Sequence, residues 1–313
     1  MVIRAFHPAD LDALIQIAQA SFAEEFRARG ETPEGFAQQV RMATRGHMIP
    51  FKLLSFLAGY QWELYVAEVN GVVVGCGGFI GRKKMELVNL MVHPQYRRQG
   101  IGQSLLVKRL QRLTELGHPS VTTTILATNQ ASLGNVRKQG FEIYDQYKVL
   151  EAALPLAAPD RFTEGEILVR PIQQSDEPVY RELEAHIATP LWLEIDGSAR
   201  DSYFLTFTDR LMNRLTGTKH WAGVLTKHGQ SIGFLAAATS GNQTSGGVAR
   251  PVVVDRELLY LPTMLQYPAT WMAQLGKQSI QIAVPDARHD LIEDLKHRGW
   301  RIVHEWVRLV RSL

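Results

Sequence analysis

Cysteine is almost absent from this 313-residue sequence: Cys76 is the only one. That excludes an internal disulfide framework and a four-cysteine zinc site, and it fits a reducing, cytoplasmic setting. Cys76 lies in the apolar run VVVGCGGF, so it reads as a small buried side chain. An excess of one charge is missing too. With 34 basic against 31 acidic residues, the formal charge is +3. A nucleic-acid or membrane-surface partner would ask for clustered basic residues instead. Long apolar runs are lacking: Met48–Tyr60 is too short to span a bilayer and contains Lys52. The opening MVIRAFHPADLD places Asp10 and Asp12 where a secretory signal needs apolar residues. The ten histidines show no ligand-like clustering, so no metal is expected.

What is present is an internal repeat, the first feature to seek in a chain long enough for about two domains. Arg4 and Asp10 flank RAFHPAD, and Arg170 and Asp176 flank RPIQQSD, both offset by 166. Asn70-Gly71 with Gly75 matches His228-Gly229 with Gly233 at an offset of 158. Each Gly pair sits between apolar runs, as a hairpin turn does. Gly140-Phe141 matches Gly299-Trp300 at an offset of 159. Three matches in order predict two homologous α/β domains, 1–154 and 166–313. A Pro- and Ala-rich linker runs from Pro155 to Gly165. In the first copy, the patterns predict strands near 2–6, 62–69, 72–80, 85–92, 121–127 and 141–150. They predict helices near 8–28, 33–45, 102–117 and 130–139.

The stretch that carries chemistry is MELVNLMVHPQYRRQGIGQSLLVKRL, Met85 to Leu110. A strand leads through His93–Gln99 to Gly100 and Gly102, where an amphipathic helix begins. The first turn of a helix leaves N–H groups unpaired, and the aligned peptide dipoles make that end positive. Glycines let an anion approach those amides, and Arg97 and Arg98 add charge, so the turn suits a pyrophosphate. The alternative is a tight connector with solvated arginines. A Walker-type loop is excluded because no Gly-Lys-Ser/Thr follows. A dinucleotide fingerprint is excluded because Leu105 stands where the third glycine belongs.

Val92-His93-Pro94-Gln95-Tyr96-Arg97-Arg98-Gln99-Gly100-Ile101-Gly102 resembles the Gln/Arg-x-x-Gly-x-Gly/Ala loop of the GCN5-related N-acetyltransferase superfamily. Asn129, a short helix and Gly140-Phe141 are similar to that family's closing segment. The resemblance covers residues 1 to about 150. It implies two tandem acyl-CoA N-acyltransferase-like α/β (α+β) domains, each a mixed twisted sheet flanked by helices and splayed between its fourth and fifth strands. It implies acetyl-CoA in that splay as the acyl donor. The backbone of Leu90, Met91 and Val92 would bond the pantetheine and the acetyl carbonyl. Amides from Arg97, Arg98, Gln99, Gly100, Ile101 and Gly102 would hold the pyrophosphate, and Asn129 would contact the pantetheine arm.

In the family's histone-modifying branch, the position of Glu86 holds the general base. Strand alternation would place Glu86 with Val88 and Leu90, among apolar neighbours that favour a neutral carboxyl. The alternative is a solvated glutamate at a strand end. Many members carry a tyrosine acid where this chain has Val136, leaving water or Ser132 as substitutes. In the second copy, no glycine lies between Gly247 and Gly276, and Pro262 and Pro268 are expected to interrupt the matching helix. That copy therefore reads as degenerate, shaping the acceptor pocket as a dimer partner would and making a monomer sufficient. Tandem members of the superfamily share this plan. The resulting expectation is an N-acetyltransferase acting on a primary amine of a small molecule or peptide. A module that binds acyl-CoA without turnover is the alternative.

Overall fold

A computed structural model describes residues 1–21, 61–82, 84–157, 167–240, 243–249, 251–253, 258 and 260–313. The helix expected over 33–45, the acceptor-side segment Arg29–Tyr60 and most of the linker lie outside the described residues. The first repeat contains β1 (Val2–Ala5), α1 (Leu11–Ser21), β2 (Gln61–Val69), β3 (Val72–Gly81), β4 (Met85–Val92), α2 (Ile101–Glu115), β5 (Ser120–Leu126), α3 (Gln130–Arg137) and β6 (Glu142–Ala153). The second contains β7 (Ile167–Pro171), α4 (Glu177–Ile187), α5 (Pro190–Ile195), α6 (Phe207–Thr216), β8 (Thr218–Lys227), β9 (Gln230–Ser240), β10 (Ser245–Val248), β11 (Val252–Val253), α7 (Leu261–Gln274), β12 (Ser279–Pro285), α8 (His289–His297) and β13 (Arg301–Ser312). None of the described helices is long and apolar enough to cross a membrane.

The chain divides into two compact units, Met1–Asp145 with Trp306–Leu313, and Gln146–Glu305. In the first unit the strand order is β1-β2-β3-β4-β5-β13, antiparallel throughout except for the parallel pair β4–β5. In the second it is β6-β12-β10-β9-β8-β7, with β10–β12 parallel and β11 pairing with β9. Trp306–Ser312 pair with Leu126–Ser120, and Tyr147–Ala153 pair with Pro285–Ser279. Each unit is thus closed by the strand that the other repeat encodes, whereas the sequence divides at 154 and 166. The repeat pattern does not reveal this exchange, because both closing strands follow a Gly–aromatic pair and either could join either edge.

The repeats match in detail. Arg4 holds Asp10 through two nitrogens (2.7 and 2.8 Å), and Arg170 holds Asp176 likewise (2.8 and 2.6 Å). The same carboxylates accept the amides of His7 and Gln173, both at 2.8 Å, capping the 3-10 turn before α1 and α4. Asn70-Gly71 and His228-Gly229 all have positive φ, as two-residue hairpin turns require. Phe141 N–H reaches Val136 O, and Trp300 N–H reaches Leu295 O, each closing the helix before it.

In the first unit, the α2 stripe of Leu105, Leu106, Leu110 and Leu113 is at most 5% exposed, packed on Tyr65, Ala67, Phe79 and Leu87. Burial of each such leucine contributes about 1.5–3 kcal/mol. Leu14, Ile17 and Ala18 of α1 cover the other face over Val66, Cys76 and Met91. One expectation fails in the second unit: α7 runs unbroken through Pro262 and Pro268. Pro262 lies in the first turn, where no intrahelical N–H is needed. Pro268 forfeits one helical bond, but its buried ring packs in the core.

Two outcomes follow for stability. Arg4 and Arg170 hold the Asp10 and Asp176 carboxyls below the usual carboxylate range. Their contribution is therefore complete above about pH 4 and fades as the pH falls through the lowered folded values. Asp10→Asn or Asp176→Asn should each cost about 1–3 kcal/mol at pH 7 and progressively less below pH 4, read by chemical denaturation. Deleting residues 306–313 removes a strand from the first unit, so that unit should lose amide-exchange protection before the second does.

Candidate active site

β4 and β5 pair at three positions, Met85↔Val121, Glu86↔Thr122 and Leu87↔Thr123, and then part. The parting coincides with a β-bulge. Gly78 faces Val88 and Cys76 faces Met91, so Asn89 and Leu90 together stand opposite Gly77. Asn89 takes φ +55°, a left-handed conformation that asparagine tolerates better than most residues. In the second unit all four residues of β10 pair with β12, and β11 beyond them pairs with β9.

The gap is a small cleft of about 60 Å3, walled by Leu87, Val88, Asn89 and Leu90 on one side and Thr123, Thr124, Ile125 and Leu126 on the other. Asn129, Ser132 and Val136 line it from α3 and the turn before it. Arg109 reaches it from α2 and Trp306 from β13. Asn129 Oδ1 accepts the Ser132 amide at 3.1 Å, which fixes the start of α3 beside the opening. Val136 is 3% exposed, and its side chain offers no proton. No group of three His, Cys, Asp or Glu able to hold a metal occurs among the described residues.

The bulge redistributes the strand residues. Simple alternation would put Glu86, Val88 and Leu90 on one face. Instead Leu90 turns to the α2 core with Leu87 and Val92, while Met91 enters the α1 core. Glu86 is half-buried, and its Oε1 accepts a 3.0 Å bond from Thr124 Oγ1, so a hydroxyl partner stands where apolar surroundings were expected. Thr124 is on the cleft wall, beside Glu86. The Val92 carbonyl already accepts bonds from Ser21 Oγ (3.0 Å) and Arg97 Nε (3.2 Å). Cys76 is fully buried and its thiol is pushed up to about 12 by that burial, in keeping with a core role.

Beyond β4, a 3-10 turn at Pro94–Tyr96 and exposed Arg97, Arg98 and Gln99 lead to Gly100, the α2 N-cap. The Arg97 amide bonds Pro94 O at 3.3 Å, so it is engaged within the turn. Ser104 N–H closes the first α2 bond, on Gly100 O at 2.9 Å, leaving the amides of Ile101, Gly102 and Gln103 ahead of the ladder. Arg98 and Gly100 have φ +64° and +77°, a paired left-handed geometry that turns this corner. A Cβ at Gly100 would meet nothing within 4 Å, so the space over these amides is open to an anion.

Sequence reasoning missed Arg109, Thr124 and Trp306. Arg109 left a signal, a cation four residues after Leu105 on the apolar stripe. Trp306 left none, because its place depends on the exchanged strand.

Residues 36–141 match the profile of the Acetyltransferase (GNAT) family. An acetyltransferase of Yersinia pestis (strain Pestoides F) is 35% identical over 86 residues, 26% of this chain and 60% of that protein. The chain thus spans under two thirds of this curated relative's length. A GCN5-related N-acetyltransferase from Sphaerobacter thermophilus shares the fold at TM-score 0.64 and 18% identity, over 99% of this chain and 95% of the other. A tandem GNAT protein from the clavulanic acid biosynthesis pathway does so at TM-score 0.58 and 16% identity, over 83% and 86%.

Gly100→Ala should lower Tm by about 2–4 °C through its positive φ alone. Gly100→Glu should keep the fold yet weaken any phosphate-bearing ligand of this turn, read by calorimetry, because an acid then stands over the open amides.

Proposed function

Starting from the membership of this chain in the GCN5-related N-acetyltransferase (GNAT) superfamily, we propose that it transfers an acetyl group from acetyl-CoA to a primary amine. The observation that carries the reading is the parting of β4 from β5 beside the Gly100–Gly102 helix start. An extended thioester-bearing arm fits the first feature, and a pyrophosphate fits the second. Exposed Arg98 and the amides of Gln99 through Gly102 are the proposed phosphate ligands. Arg97 contributes its side chain's positive charge, its amide being engaged. Leu90 and Met91 at the bulge, with the Val92 amide, are the proposed backbone partners of the arm, and Asn129 stands at its side.

In the reaction the amine lone pair attacks the thioester carbon, the carbonyl electrons move to oxygen, and their return expels coenzyme A as thiolate. Glu86, oriented by Thr124, is the proposed acceptor of the amine proton. The site brings donor and amine together in a narrow cleft, which by itself accounts for a large part of such rate enhancements. The acceptor is a small molecule or a peptide amine.

One observation favours a second reading. Val136 fills a wall of the cleft with a hydrocarbon, so a module that binds acyl-CoA without turnover also fits. Thiol release from acetyl-CoA across a panel of polyamines, amino sugars and peptide N-termini separates the two. Turnover with any of them supports the enzyme. Heat on titrating coenzyme A with no turnover supports the module, and no heat at all removes both. In the enzyme, Glu86→Gln should lower kcat by about 10²- to 10⁴-fold, with the affinity for coenzyme A unchanged.

A further inference from the structure

Arg109 is the largest of the nearly inaccessible side chains in the described chain, at 1% exposure. Its Nε donates to Leu105 O at 3.1 Å, and its Nη1 to Gly78 O at 3.0 Å and Val88 O at 3.4 Å. These partners are neutral carbonyls, and no carboxylate among the described residues pairs with it. Nη2 makes no hydrogen bond among the described residues, yet it is not among the atoms sealed from solvent, and Arg109 lines the cleft. Gly77 makes room for the guanidinium, since a Cβ there would stand 3.1 Å from Cζ. Burial pushes its pKa down to about 10, which leaves it cationic at neutral pH. The Cys76 thiol on β3, the other titratable group that acts on it, is held neutral by its own burial. Glu86 on β4 lies on the opposite face of the sheet from the α2 core and is bonded to Thr124.

A buried guanidinium with neutral partners and one nitrogen open to a cleft is arranged to meet negative charge that arrives with a ligand. Its bond to Val88 O places it where β4 and β5 begin to part, at the closed end of the cleft, which an acyl group would reach first. Coenzyme A's phosphates belong at the far end, beside Gly100, two and a half turns up α2. Val136, where many members of the superfamily carry a tyrosine acid, offers the departing sulfur no proton.

We propose that Arg109 stabilises the negative charge that the thioester acquires during transfer, on its oxygen as the amine adds and on its sulfur as the carbon–sulfur bond breaks. The sulfur leaves as thiolate beside the cation and takes its proton from water afterwards, so no acid is needed in the bond-breaking step. This rests on the acyl-CoA reading above and assigns Arg109 as the charge-stabilising residue of that site.

The experiment needs no knowledge of the amine. Coenzyme A is bound to the full chain and its thiol is titrated by thiolate absorbance, with calorimetry of desulfo-coenzyme A as the binding control. In the wild type the bound thiol should ionise at lower pH than the free thiol. Arg109→Met should raise that value by about one pH unit, and Arg109→Lys should restore part of the shift. Desulfo-coenzyme A should bind all three proteins within about twofold. If an accepting amine is found, kcat for Arg109→Met should fall about 10²- to 10³-fold with little change in KM for acetyl-CoA. Equal thiol ionisation in wild type and Arg109→Met, with coenzyme A bound to both, would overturn the proposal while leaving the acyl-CoA reading intact. No binding to the wild type would remove that reading itself. A marked preference for succinyl-CoA over acetyl-CoA that Arg109→Lys keeps and Arg109→Met loses would assign the cation to a carboxylate on the acyl chain, and would also overturn it. Should Arg109→Met fail to fold, the Arg109→Lys titration decides alone: a thiol ionising no lower than free coenzyme A, in wild type and Lys variant alike, sinks the assignment.

Discussion

The first unit depends on a sheet that is prevented from finishing. β4 and β5 exchange three residue pairs, and the extra residue at Asn89–Leu90 then rotates the rest of β4 away. A continuous parallel pair would have satisfied its backbone and left no gap. Backbone groups past the bulge must find other partners. The Val92 carbonyl takes Ser21 and Arg97, the Asn89 carbonyl takes the Cys76 thiol at 3.6 Å, and the Val88 carbonyl takes Arg109. The gap is thus held open by side chains from α1, α2, β3 and the following turn, and not by the sheet.

That arrangement joins stability to chemistry. Arg109 braces the bulge through two β-strand carbonyls and is also the cation in the cleft. Gly77, opposite the bulge, is the position where a side chain would collide with it. Burying a charge among neutral groups is costly, and a core of leucines at the same place would pack better. Such a charge retained inside a leucine stripe marks a place where function and packing compete.

The described elements of the first repeat were legible to within about three residues at the ends that are described. β4 spans Met85–Val92 as its pattern predicts, and α2 begins at Ile101 beside the glycines. The Arg–Asp ties at offset 166 proved to be the same bidentate clamp twice, because the clamp and its cap are local chemistry that seven residues encode completely. Alternation failed past Asn89, since a bulge is decided by cross-strand register. The helix-breaking reading of Pro262 and Pro268 failed because burial in the second unit outweighs one lost helical bond.

What the sequence alone determined were the features written within a few residues of each other: the repeat, the hairpin turns, the amphipathic α2 and the open amides at Gly100–Gly102. Only the tertiary structure decided that Trp306 closes the first sheet, that Leu90 and Glu86 face opposite ways, and that Arg109 points into the cleft. The reason is the range of the forces involved. Turns and caps are settled by neighbouring dihedrals and bonds, whereas strand partnership and the burial of a charge depend on surfaces that meet only after the chain has folded.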